Sequence, residues 1–297
     1  MFAAAELIAI RSGDLTARIN PLGAELWSLT DCGGREFMTD GDPAFWTGHA
    51  PLLFPIVGAL NGDRYRFDGR EYHLPKHGFA RRARFEVIEK GPSQVSLGLR
   101  DSDETRAVYP FAFVLEMAFL LEGAVLHMDA TIRNPGKEPL PFSFGYHPAF
   151  AWPLPGGAEK VDHVIAFDEP EPQPIRRVDP QSGLLLPAVS PTPVDGHCLA
   201  LDSSLFRDDA VIWDHLASRR LTFGTPGGAQ LSIAFPDTPM LAIWQKPDAP
   251  FLCIEPWQGH ADPVGFAGDL PNKPGILQLA SGANRSFRMS VAVLSAD

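Results

Sequence analysis

Apolar and polar positions alternate over many short stretches of this chain, with the period of a β-strand. In Val125–Arg133, Leu126, Met128, Ala130 and Ile132 share one face, and His127, Asp129, Thr131 and Arg133 the other, as in a half-buried strand. Residues 287–294 repeat the pattern with Phe287, Met289, Val291 and Val293. Residues 111–121 are apolar on both faces, which predicts a strand buried between layers. Turn sequences separate these stretches: Asp68-Gly69, Glu122-Gly123, Asn134-Pro135-Gly136, Pro155-Gly156-Gly157 and Pro226-Gly227-Gly228. No segment carries a long, capped apolar stripe of period 3.6, and short helical turns are expected near residues 43–45 and 203–206. Many short strands between turns predict an all-β sandwich or barrel. The Pro-rich residues 169–193 read as a long surface loop, because the strand-like segments on either side look alike.

Composition narrows the function. The 297 residues are 45% hydrophobic and 21% charged, a globular balance, and all-β domains of this size occur, so residues 1–297 are expected to form one large domain. The formal net charge of −11 argues against a nucleic acid or an anionic membrane surface as partner and leaves a small polar ligand open. Cys32, Cys198 and Cys253 are odd in number and widely spaced, with no CxxC. Neither a disulfide framework nor a zinc site is expected, and a reducing cytoplasm fits best. Residues 1–10 lack a basic n-region and a long apolar core, so they read as a strand and not as a signal peptide. No apolar run has the length of a membrane span.

The chemistry concentrates in three stretches. In Phe142-Ser143-Phe144-Gly145-Tyr146-His147-Pro148-Ala149-Phe150 a histidine stands between a glycine that permits close backbone approach and a proline that favours an extended His147. A titratable ring fixed among aromatics is either a site residue or a buried histidine bonded to a backbone carbonyl. Lys76-His77-Gly78-Phe79-Ala80-Arg81 reads as a solvated basic turn or as a polar-ligand pocket. If a strand continues there, Arg82 and Arg84 share one face and Arg81 points to the other, nearest a ligand. In Phe251-Leu252-Cys253-Ile254-Glu255-Pro256-Trp257 the carboxylate ends an apolar strand. It is then either exposed or held in a cleft, where desolvation raises its pKa, and Trp257 offers a flat face to sugar C–H groups. His73 and His77 have metal spacing for a helix, but Pro75 and Gly78 exclude a helix there, so no metal pair is expected. His127 lies on a polar strand face, and His49, His163, His197, His215 and His260 have no chemical context. No GxSxG elbow, P-loop, HExxH or helix-opening GxGxxG is present.

Together these stretches resemble the aldose 1-epimerase (galactose mutarotase-like) family, most closely its LacX-like branch. The matching pieces keep the family's order: Leu53-Phe54-Pro55-Ile56-Val57-Gly58, His77-Gly78-Phe79-Ala80-Arg81, Gly145-Tyr146-His147-Pro148-Ala149-Phe150, Cys253-Ile254-Glu255-Pro256-Trp257 and Asn272-Lys273-Pro274-Gly275-Ile276. The similarity spans nearly the whole chain. It implies a large antiparallel β-sandwich with few short helices, and an isomerase that interconverts the α and β anomers of an aldose or sugar phosphate. By the same resemblance Glu255 is the base, His147 the acid, and His77 a hydrogen-bond donor to the ring oxygen or a nearby hydroxyl. Arg81, Lys76, Asp209, Trp257 and Asn61 are the implied substrate contacts, with Asp202 and Asp214 as competitors of Asp209. No cofactor or metal is implied, and a monomer or homodimer is expected.

The chain departs from galactose mutarotases proper, which carry an Asn-Arg pair and a His-Gly-Gly loop. Here the stretches read Gly58-Ala59-Leu60-Asn61-Gly62 and His77-Gly78-Phe79, so the arginine's role falls to Arg81 or to no residue. A non-catalytic sugar-binding or sensor domain on the same fold is the alternative. A glycoside hydrolase or lyase ranks last, since hydrolysis normally needs two flanking carboxylates and one stands in a strong motif.

Overall fold

The computed structural model describes residues 7–294. Among them two large antiparallel sheets lie face to face. The nine-stranded sheet runs Cys198–Ala200, Val164–Phe167, Arg220–Gly224, Gln230–Ala234, Asn284–Leu294, Val125–Arg133, Val114–Glu122, Gln94–Arg100, Glu86–Lys90. The eight-stranded sheet runs Leu185–Ser190, Ile175–Val178, Val211–Trp213, Met240–Trp244, Phe251–Gln258, Phe144–Tyr146, Leu52–Leu53, with Ala149–Ala151 also paired to Phe251–Gln258. The expected all-β sandwich is therefore the fold. The strand that begins at Ile8 agrees with the reading of residues 1–10 as a strand, whose first six residues lie outside the described ones.

Alternation builds the core. Met128 faces Met289 on one side and Phe119 on the other, so the apolar sets of three neighbouring strands fall on one face. That face packs against Trp213, Leu241, Ile243, Leu252 and Ile254 from the opposite sheet. Tyr146 ties the layers together: its hydroxyl lies 2.8 Å from the carbonyl oxygens of both Met128 and Phe287 and accepts the Ala130 N–H.

Two expectations need correction. The strand within 111–121 begins at Val114, and from Glu116 onward only Met117, Phe119 and Leu121 are fully buried, because its sheet meets the other with one face only. The Pro-rich 169–193 segment is not all loop. It contributes Ile175–Val178 and Leu185–Ser190 to the eight-stranded sheet. Pro187 is accommodated because its strand is at the edge, where a missing ladder N–H costs little. Of the two expected helical turns, Ser203–Phe206 is a 3₁₀ turn. At 43–45 the chain makes a turn in which Phe45 and Trp46 both donate to the Asp42 carbonyl. Among the described residues no helix is long and apolar enough to cross a membrane.

Candidate active site

The site follows from the register of one strand. Phe251–Gln258 does not end at Glu255 but runs through Pro256. It pairs with Phe144 and Gly145 opposite Gln258 and Trp257, and then with Ala149 opposite Cys253. Continuing that register across the interruption sets His147 opposite Glu255. The Ile254 N–H donates to the Pro148 carbonyl, so the position two residues on, Pro256, would aim its N–H at the same break. Two prolines thus face an interruption that asks little of their missing donors. Gly145 is required here, because a Cβ would lie 2.6 Å from Cδ1 of Trp257.

His147 and Glu255 are 7% and 2% exposed, and His147 Nε2 lies 3.3 Å from Glu255 Oε2. His147 Nδ1 has no protein partner. The Trp46 ring stacks over His147 at 4.9 Å and 28°, with Trp244 edge-on at 6.1 Å. Burial pushes the Glu255 carboxyl well above its usual range, against the pull of Lys76, with Asp209 adding to the rise and Arg81 opposing it. Burial holds His147 well below the usual imidazole range, and Arg81 adds to this. Both shifts favour the neutral forms, a protonated carboxyl and an unprotonated imidazole, and Glu255 Oε2, like His147 Nδ1, has no hydrogen-bond partner.

His77 approaches from the Pro75–Gly78 turn. Its N–H donates to the Gly58 carbonyl at 2.9 Å, and the Gly58 N–H donates to His77 Nδ1 at 3.2 Å. Because Nδ1 must accept, Nε2 carries the proton and is the donor. Burial, then the charge of His147, lowers the His77 pKa well below normal, which keeps the ring neutral. His77 has a left-handed backbone, φ +67°, strain of the kind found at functional sites. Gly58 must stay side-chain free, since a Cβ would be 2.5 Å from the Ala261 nitrogen. His147 and His77 meet edge to face at 5.7 Å.

A cavity of about 220 Å³ opens over these groups and is also lined by Lys76, Arg81, Asp209, Trp46, Trp244 and Trp257. Arg81 reaches it from a 3₁₀ turn, Ala80–Arg82, and not by the strand alternation that the sequence suggested. Among the described residues neither Arg81 nor Lys76 is in an ion pair. Asp209, φ +64°, is fixed by Arg177, which donates to its carbonyl and to that of Leu205. Its competitors are occupied elsewhere: Asp202 caps the Ser203–Phe206 turn, and Asp214 pairs with Arg176 at 3.1 Å. Asn61 is not brought to this cavity. It lines a neighbouring one of about 230 Å³, where its N–H donates to Asp262, itself 2.9 Å from buried Lys273. A residue displaced by a turn cannot be placed by counting along a motif. His73 is exposed and unassociated with buried His77. Among the described residues the one group with metal-ligand proximity is His147, Cys253 and Glu255, a grouping that the spacing of histidines and cysteines did not suggest.

Sequence reasoning missed Trp46, Trp244 and Glu25. Trp244 ends Met240–Trp244 in phase with Met240 and Ala242, so alternation alone would have placed it. Trp46 sits on an irregular loop and left no periodic signal. Glu25 accepts the N–H groups of His49 and Ala50 at 2.7 and 2.9 Å, holding the end of the loop that carries Trp46.

The family described as Aldose 1-epimerase matches residues 6–269 of the chain. The chromosomal LacX protein of Lactococcus lactis subsp. lactis is 32% identical over 281 residues, covering 92% of this chain and 94% of that one. A galactose mutarotase related enzyme from Lactobacillus acidophilus superposes with a TM-score of 0.90 at 32% identity, over 98% of each chain. A galactose mutarotase-like protein from Lactobacillus casei gives 0.89 at 30% identity, over 97% of this chain and 100% of that chain.

Proposed function

The chain belongs to the aldose 1-epimerase family, and from that premise we propose that it interconverts the α and β anomers of an aldose or an aldose phosphate. The observation that carries the reading is the buried His147–Glu255 pair at 3.3 Å beneath a cavity with a fixed donor at His77. Anomer exchange needs a base for the C1 hydroxyl proton and an acid for the ring oxygen, both working reversibly near neutral pH.

In the working form, with Glu255 ionised and His147 protonated, Glu255 takes the hydroxyl proton as the C1–O5 bond breaks and His147 delivers its proton to O5. The open aldehyde turns about C1–C2 and closes on its other face, with the proton transfers reversed. His77 Nε2–H hydrogen-bonds the ring oxygen or an adjacent hydroxyl and stabilises charge that develops there. Trp46, Trp244 and Trp257 present flat faces to the sugar's C–H groups, and Asp209 accepts from hydroxyls. Arg81 and Lys76 grip hydroxyls or a phosphate.

The test is NMR exchange spectroscopy on equilibrated aldoses and their 6-phosphates, with and without protein. Acceleration of anomer exchange is the expected result. Saturable sugar binding without acceleration of any sugar in the panel would replace the catalytic reading with a binding one.

A further inference from the structure

The Phe251–Gln258 strand carries another ligand-type side chain on its cleft face. Cys253 precedes Glu255 by two residues, so alternation directs its thiol to the same side, and Ala149 is its small cross-strand partner. One Cys253 sulfur, one His147 ring nitrogen and one Glu255 oxygen lie within 4.8 Å of one another. We propose that these three side chains bind a soft divalent cation such as Zn²⁺, which takes the sugar's place on His147 and Glu255 and switches anomer exchange off. The switching rests on the functional reading above; the binding does not.

The geometry is close to that of a zinc ligand set. Bonds of about 2.0–2.1 Å to nitrogen and oxygen at tetrahedral angles set those two atoms about 3.3–3.4 Å apart. His147 Nε2 and Glu255 Oε2 stand at 3.3 Å. A zinc–sulfur bond of about 2.3 Å asks for edges of about 3.6 Å, shorter than the 4.8 Å within which one ligand atom of each residue already lies, so the sulfur has to move inward. Side-chain rotation of Cys253 and Glu255 supplies that movement.

The charges also balance. Thiolate and carboxylate together neutralise a dication, and the neutral imidazole needs no deprotonation. Binding releases the thiol proton, and any proton on Glu255, to solvent. Lys76 and Arg81 repel a cation and Asp209 attracts it, so their opposition is partly offset. Three protein ligands leave a fourth position for water or a sugar hydroxyl. The thiolate selects Zn²⁺ or Cd²⁺ over Mg²⁺ and Ca²⁺.

The test uses the full chain with Cys32→Ser and Cys198→Ser, since both of those cysteines are exposed. Co²⁺ serves as the spectroscopic probe, Zn²⁺ as the inhibitor and Mg²⁺ as the control. The expected result is one Co²⁺ per chain, with a thiolate charge-transfer band and tetrahedral ligand-field bands that Zn²⁺ abolishes and Mg²⁺ does not. Zn²⁺ inhibits exchange competitively with sugar, and EDTA reverses it. Cys253→Ala retains metal-free exchange, loses the band, and weakens inhibition by at least the roughly 10–100-fold that loss of an outer-sphere partner costs. No Co²⁺ binding up to millimolar, binding without the thiolate band, or equal Zn²⁺ inhibition of Cys253→Ala would overturn the proposal. If no sugar is exchanged, the spectra alone decide the binding, and the failure is that of the catalytic reading.

Discussion

Replacing Glu255 by Gln should make the protein a much poorer catalyst and, above pH 5, a more stable one. The side chain keeps its shape but cannot accept the hydroxyl proton, so exchange should fall by about 10²–10⁴-fold. The stability gain follows from burial. Glu255 is held well above the ordinary 4.5 by desolvation, so the folded protein keeps a proton that the unfolded chain releases as pH rises through about 4.5. Its contribution is intact below that pH and declines above it, until the folded carboxyl ionises too. Each tenfold of difference in ionisation constant is worth about 1.4 kcal/mol, and 1 kcal/mol moves Tm by roughly 2–4 °C in a chain approaching this size. Gln carries no such penalty. Thermal midpoints of wild type and Glu255→Gln should therefore lie close together near pH 4 and diverge towards pH 8, with the variant higher. A difference that is constant from pH 4 to 8 would refute the argument that burial holds the carboxyl up. Near-normal exchange in the folded variant would refute its role as proton acceptor.

The pH profile of exchange should show an acid limb below 6.5, because burial lowers His147, and an alkaline limb above 4.5, because it raises Glu255; loss of activity as pH falls from 8 to 7 would contradict the acid side. Gly145→Ala drives a Cβ to 2.6 Å from the Trp257 ring and should cost about 1–3 kcal/mol, read as a lower urea midpoint with an unchanged slope; an unchanged midpoint would show that the ring yields freely. Trp46→Ala removes the ring stacked on His147 and with it a cation–π contribution of about 0.5–1 kcal/mol, so the acid limb should move down by a few tenths of a pH unit and KM should rise; a KM rise with the limb unmoved would confine Trp46 to sugar contact. Arg81→Ala should raise KM for an aldose 6-phosphate more than for the neutral aldose, by a margin that shrinks with added salt; equal rises at every salt concentration would remove Arg81 from phosphate recognition.

Strand content was legible because alternation has a fixed period that burial enforces. Val125–Arg133 was readable residue by residue. What failed was placement where alternation stops. Arg81 was assigned a direction from strand parity, yet it stands on a 3₁₀ turn and reaches the cavity by that route. Asn61 followed the motif's count but lies beyond the bend at Gly58 and faces another cavity. Trp46 belongs to a loop with no period. The strand expected to end at Glu255 runs on through Pro256, because the ladder is broken on the side where that residue's N–H would point. Motif identity named the chemical groups, and tertiary register decided which of them meet.

That register also bears on the acid and base roles. His147 and Glu255 occupy opposite positions of an interrupted ladder, with Nε2 and Oε2 3.3 Å apart. Burial pushes the Glu255 carboxyl up and the His147 imidazole down, so both groups are driven towards their neutral forms. A reaction that runs equally in both directions suits this arrangement. In the proposed exchange the group that accepts a proton from one anomer donates it when the other reverts. In that proposal His77 stands outside the proton exchange, because the Gly58 N–H occupies its Nδ1 and leaves the ring one fixed donor. Two histidines of similar burial thus differ in their partners: His77 Nδ1 accepts a backbone N–H and His147 Nδ1 accepts none, and the proposed roles follow that difference.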